Sequence, residues 1–131
     1  MSTTKHVISW SLQLLAAIIL LQTLYFKFTG AEESIYIFSR LHMEPWGRIG
    51  TGVVELIAAV LLLIPSTVLW GALLGIGTMS GAIFFHLTTL GINVQDDGGQ
   101  LFLYALIVFF SCAILLLFNR FRIQQIIQQV F

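Results

Sequence analysis

Four long apolar runs divide the chain. They extend from Val7 to about Phe28, from Trp46 to Ile64, from Val68 to Gly91 and from Gln100 to Phe118. Each has close to the roughly 20 residues that a helix needs to cross a hydrocarbon core about 30 Å thick. None alternates polar and apolar residues as an outer-membrane strand would. Hydrocarbon offers the backbone no water to pair with, so an open chain crosses it as α-helix. The pattern predicts an all-α membrane fold, a four-transmembrane-helix bundle.

The connections have their own signatures. Pro65-Ser66-Thr67 is a tight turn, because proline ends a helix and removes a backbone donor. Asn93 to Gly99 is a polar loop. Between the first two spans, Glu32 and Glu33 open a segment that Arg40 closes, a charge order that suits a short helix and its dipole. Tyr36, Phe38 and Trp46 suit an interfacial position there. After the fourth span, Ile123, Ile126, Ile127 and Val130 share one face, with glutamines largely opposite. That spacing predicts an amphipathic C-terminal tail lying on the membrane. The run from Val7 to Phe26 is too long for the apolar stretch of a cleaved leader and is read as a permanent helix. Residues 1–131 are read as one transmembrane domain.

Composition agrees. The 131 residues are 58% hydrophobic and 9% charged, with a formal net charge of +0. Soluble domains carry about 25% charge, so the lipid bilayer is the expected solvent. The basic residues are scattered and form no stripe for a phosphate backbone, which excludes nucleic acid as a partner. Cys112 is the one cysteine, so neither an internal disulfide nor a thiol pair is available, and it reads as a small apolar filler. Four spans place both termini on one side, with Lys5, Arg120 and Arg122 and no acidic residue. The other side carries Lys27, Arg40 and Arg48 together with five carboxylates. Counting basic residues nearly ties the two sides, and both termini are expected in the cytoplasm.

Polar residues inside the spans carry the functional signal, since each charge there costs about 2.5–3.5 kcal/mol on insertion scales. Glu55 sits well inside the second span. Thr51, Gly52, Ala58, Ala59 and Leu62 share its face, mostly small residues of the kind that pack helix on helix. Glu55 is therefore expected in the bundle interior. There it either fixes helix pairing through a hydrogen bond or handles a proton or a ligand. His86 follows Gly75, Met79 and Ala82 on one helical face, roughly 7–8 Å inside the end of span three. It is either a satisfied structural histidine or a pocket group shared with Glu55. Ser9, Gln13, Ala16, Leu20, Thr23 and Lys27 make a polar or small seam along the first span. Lys27 either snorkels to the interface or pairs with Glu55 or a ligand head group. The patterns Gly71-xxx-Gly75 and Gly77-xxx-Gly81 suit close helix packing, within the chain or against a second copy in a homo-oligomer.

Other chemistries fit poorly. There is no glycine-rich phosphate loop and no marked acyl-transfer site. His42, Glu44 and His86 lack metal-ligand spacing, and haem would have only His86 as a core ligand. A proton-coupled exporter of this size would carry its carboxylate in the first span, and here it is in the second.

From about Leu20 to Gly91 the chain resembles the DoxX-like family of small four-helix membrane proteins. The resemblance rests on five stretches in order. They are Phe26-Lys27-Phe28-Thr29-Gly30, Glu32 to Trp46, Gly52 to Pro65 with Glu55 inside it, Trp70-Gly71-Ala72, and Met79 to His86. Span four matches in hydrophobicity alone. The resemblance implies a four-helix bundle in which Lys27, Glu55 and His86 are the matching polar landmarks. It also implies an association with redox chemistry. The family takes its name from a subunit of an archaeal thiosulfate:quinone oxidoreductase, and some bacterial members are tied to thiol and oxidative-stress complexes, while most members have no assigned reaction.

The expected role is a membrane subunit of a redox complex that binds quinone or a similar amphipathic molecule between its helices. The expected location is a bacterial cytoplasmic (inner) membrane, with a membrane or peripheral redox protein as partner. Glu55, His86, Lys27 and Met79 are the candidate ligand-binding residues. No catalytic residue and no metal ligand is assigned. The alternative is an assembly factor or structural subunit that uses its helix faces to hold a partner.

Overall fold

The computed structural model describes residues 3–130. Six α-helices follow one another: α1 (Thr3–Thr29), α2 (Glu32–Arg40), α3 (Trp46–Leu63), α4 (Val68–Phe85), α5 (Gln100–Phe118) and α6 (Arg120–Val130). Pro65–Thr67 forms a 3₁₀ turn before α4, and His86–Leu90 continue α4 as a π-helical turn. Four segments are long and apolar enough to span a membrane: Thr3–Thr29, Trp46–Leu63, Pro65–Leu90 and Gln100–Phe118. The four-span fold expected from the hydropathy pattern is the fold observed.

The spans close into a ring. α1 packs on α3 and α5, α3 on α4, and α4 on α5. Their shared core holds Ala16, Ala17, Leu20, Ala58, Ala59, Leu62, Ala72, Val108, Cys112 and Leu115. The rest of the hydrophobic surface faces outward, as in Ile18, Ile57, Trp70 and Leu117. A bundle that is oily on both its inner and outer faces belongs in lipid.

Small residues set the closest approaches. A methyl group on Gly71 would lie 2.7 Å from the Leu62 nitrogen and 3.0 Å from the Ala58 carbonyl oxygen, so α3 and α4 touch backbone to backbone. One on Gly75 would lie 2.6 Å from Cys112 Sγ, which makes Cys112 the filler between α4 and α5. One on Gly52 would lie 2.6 Å from the Phe28 ring, at the crossing of α1 and α3. Polar groups of the α1 seam are satisfied inside. Ser9 donates to Gln13 at 2.9 Å, and Gln13 donates to the Leu62 carbonyl at 2.8 Å. That carbonyl lies in the last turn of α3, where no helical partner remains for it.

Three details differ from the sequence reading. α1 begins at Thr3, one turn before Val7. At 1.5 Å per residue its length is about 40 Å, so it overhangs the hydrocarbon. Phe38 is buried rather than interfacial, because α2 folds back over the bundle and lays this ring beside Gly47. Gly77 and Gly81 leave open space: a methyl on either meets no atom within 4 Å among the described residues.

Candidate functional site

The half of the bundle away from the chain termini does not close. α1 is tied there to α3 by Arg48, which donates to the Lys27 carbonyl and to Glu44 Oε1 at 2.9 Å. A cation on the last carbonyls of α1 also suits its dipole. α5 is held at its start by Asp97. Its Oδ1 accepts from the Val94 and Gly99 N–H groups at 3.0 and 2.8 Å, and its Oδ2 accepts from Leu101 N–H at 3.2 Å. Burial alone would raise the Asp97 pKa, but these backbone donors outweigh it and hold the carboxyl below its usual range. Between the two anchored ends, under α2, lies a cavity of about 590 Å³. That is within the size range of sites that take small molecules.

Its wall is largely apolar, with Ile19, Leu20, Phe38, Met79, Phe85 and Ala105 among the contributors. Lys27, Glu55, His86 and Met79, the four residues singled out from the sequence, all line it. Glu55 reaches it from the third turn of α3, on that helix's buried face, and its side chain is 6% exposed. Lys27 Nζ lies 3.2 Å from Glu55 Oε2, and the Lys27 side chain keeps 17% exposure. Thr23 stands one turn before Lys27, its hydroxyl 3.5 Å from the same carboxylate oxygen. The structure thus selects the ion pair over snorkelling for Lys27. A buried charge without a partner would be far more costly than this pair.

His86 occupies the first position of the π turn and is buried. Its Nδ1 lies 2.9 Å from the Gly91 carbonyl oxygen. A carbonyl only accepts, so the proton is on Nδ1, and a neutral ring keeps Nε2 as an acceptor. Its face is fixed by the Phe102 ring, 5.6 Å away and near-perpendicular. Gly91, at φ 79°, turns the chain back so that its carbonyl can meet the ring. π-Helical turns inside α-helices are frequent at functional sites.

Two contributions escaped the sequence reading. Gly77 and Gly81 line the cavity, so the second glycine pattern leaves space where the first removes it. Glu33, in the first turn of α2, also lines the cavity. Its Oε1 is sealed from solvent and has no hydrogen-bond partner among the described residues. Burial, and then the nearby Asp97 charge, push its pKa up. Nothing in the sequence marks it, since α2 reads as an ordinary surface helix until it is folded over the bundle.

Chemically, the site offers an apolar chamber with hydrogen-bonding groups on several helices. Lys27 can donate to a ligand oxygen, and the Thr23 hydroxyl, which donates to the Leu20 carbonyl at 3.0 Å, can accept. Glu55 can accept or exchange a proton, and His86 can do either, according to its protonation state. Fold and cavity together define a small multi-pass helical membrane protein with an intrahelical pocket. The model of the DoxX-like family matches residues 11–113, well over half of the chain, which belongs to that family. The match reaches past the Leu20–Gly91 stretch and takes in most of α5, which the sequence reading had linked to the family by hydrophobicity alone. No curated protein and no solved structure matches the chain.

Proposed function

We propose that this protein is a membrane subunit that holds quinone, or a similar amphipathic molecule, in its intrahelical cavity for a redox partner. One observation carries the reading: the Lys27–Glu55 ion pair and His86 line the same mostly apolar chamber of about 590 Å³. An amphipathic ring would place its apolar body against Leu20, Phe85 and Met79. Its oxygens would meet Lys27 and His86, while Glu55 takes up or supplies a proton. Electrons come from a partner, because the chain's own groups include no thiol pair. The whole chain, 1–131, acts as one transmembrane unit of a bacterial cytoplasmic (inner) membrane.

Both termini face the cytoplasm in this reading. The count of basic residues nearly ties the two ends, and the absence of acidic side chains beside Lys5, Arg120 and Arg122 in the sequence supports this orientation.

The test is purification of the full chain in native-like membrane discs, extraction of co-purified lipophilic molecules, and titration with decylubiquinone. Co-purified quinone, and at least tenfold weaker binding by Glu55→Gln, are expected. Absence of quinone together with unchanged binding by Glu55→Gln sinks the proposal. A stoichiometric protein partner that Glu55→Gln retains would favour the assembly-factor reading instead.

A further inference from the structure

α1 and α5 run antiparallel, with Lys5 Nζ 5.1 Å from the centre of the Phe118 ring. Counting from those two residues at 1.5 Å each, Gln22 lies roughly 25 Å along α1, between Tyr104 and Gln100, roughly 21 and 27 Å along α5. Nearer the termini the two helices share a closed core, in which Ala16, Val108 and Cys112 are fully buried. Toward the cavity they part. Gln22 and Phe26 of α1 and Gln100 of α5 line the cavity and are at the same time exposed on the outer surface. Residues that do both stand at a mouth. The other edge of each helix is sealed, Phe28 lying on Gly52 of α3 and Cys112 on Gly75 of α4. The mouth is therefore between α1 and α5.

Its rim is polar where hydrocarbon is expected. Gln22 lies seven residues before the end of α1 at Thr29, roughly 10 Å inside that end of the span. Among the described residues no hydrogen bond engages its amide, and lipid tails give it none, so its place there is costly. Across the mouth, the Tyr104 hydroxyl accepts from Gln100 Nε2 at 2.8 Å and keeps its own proton to donate. An amide and a hydroxyl on the two sides of an oily opening suit the passage of a polar head group. Phe26, 45% exposed beside them, suits a hydrocarbon chain. A chamber of about 590 Å³ holds a substituted ring and has no room for a long chain as well.

We infer that the mouth between α1 and α5 is a lateral portal to the bilayer, through which the ligand's polar ring enters and in which its hydrocarbon tail remains. The inference rests on the reading of the cavity as the site of an amphipathic molecule. It narrows that class to long-tailed molecules drawn from the membrane. Gln22 and Tyr104 are the residues that carry the ring's oxygens across the rim.

The full chain in phosphatidylcholine discs is loaded with a decylubiquinone that bears a diazirine in the middle of its chain, and irradiated. Crosslinks to Gln22, Phe26 or Tyr104, suppressed by excess decylubiquinone, are expected. Crosslinks to α2, or to α4 beside the exposed Gly77, would overturn the inference, as would labelling that excess ligand does not suppress. Gln22→Trp, at an exposed position, fills the mouth. It should weaken equilibrium binding of decylubiquinone at least tenfold and leave binding of the same ring without its decyl chain unchanged. If the parent binds both quinones and Gln22→Trp weakens neither, the portal falls and the cavity reading stands. If the parent binds neither, the cavity reading falls and takes the portal with it.

Discussion

Lys27 Nζ and Glu55 Oε2, 3.2 Å apart, join the last turn of α1 to the middle of α3 at the wall of the cavity. The two residues are far apart in sequence, and each alone would be a charge in the wrong solvent. Together they satisfy each other, brace the α1–α3 contact and present a polarised edge to the chamber.

Breaking that pair from one side should cost more than removing it. Lys27→Met leaves Glu55 enclosed without its cation, and we expect a loss of about 2–4 kcal/mol, somewhat below a fully buried pair because Lys27 keeps partial exposure. Lys27→Met/Glu55→Gln should recover much of it. Unfolding of the three variants in mixed micelles reads this directly. Additive losses in the double variant would show that the two side chains do not act as a pair.

The glycines of α4 should divide into two kinds. Gly71→Ala drives a methyl into the α3 backbone, where nothing flexible can yield, and is expected to cost about 1–3 kcal/mol. A Cβ at Gly77 or Gly81 meets no described atom within 4 Å, so Gly77→Leu and Gly81→Leu should leave the thermal midpoint within a few degrees. They extend into the cavity instead, and should weaken decylubiquinone binding at least tenfold. Equilibrium binding and thermal unfolding measured side by side would separate the two effects. A strongly destabilised Gly77→Leu would contradict the open wall described here.

Gly75 and Cys112 should behave as a size-exchange couple. Gly75→Ala alone collides with the sulfur and is expected to destabilise by about 1–3 kcal/mol. Gly75→Ala/Cys112→Ala exchanges the volume across the α4–α5 contact and should return most of that loss. The measurement is a double-mutant cycle of unfolding free energies. Zero coupling would mean that the sulfur is not what limits this approach.

Asp97 and Glu33 should give opposite pH dependences. Asp97 is held below its ordinary value of 3.8, so its contribution is complete above that value and fades as pH falls through the lower, folded one. Asp97→Ala removes the acceptor of three backbone N–H groups and should cost about 1–2 kcal/mol at neutral pH. Glu33 is raised above 4.5, so the fold favours its protonated form. Its contribution is complete below that value and is lost as pH rises through the raised one. Glu33→Gln should flatten this decline without affecting the acid limb. Thermal midpoints across the acid-to-neutral range provide the check, and a Glu33→Gln profile parallel to the parent would refute the assignment.

Much of the site was legible before folding because membrane hydrocarbon penalises charge heavily. Glu55 was expected inside from its small-residue face, and Ala58, Ala59 and Leu62 are indeed buried beside it. The seam from Ser9 to Lys27 was likewise visible from its spacing and turns inward. The roles of Gly77 and Gly81 were not legible: a small-residue pattern is the same whether the neighbouring helix approaches or leaves a gap. Glu33 was hidden for a related reason, since nothing in nine residues of α2 says what lies beneath them.

The number of spans, the residues that had to face inward and the amphipathic tail could all be read from the chain alone. Each follows from local hydropathy, helical period and the cost of placing charge in lipid, which act on every segment separately. The pairing of Lys27 with Glu55, the turn of His86 to the Gly91 carbonyl and the placing of α2 over a chamber emerge with folding. Those outcomes depend on how helices distant in sequence cross, and the crossing is set by shape complementarity among side chains that no single segment encodes.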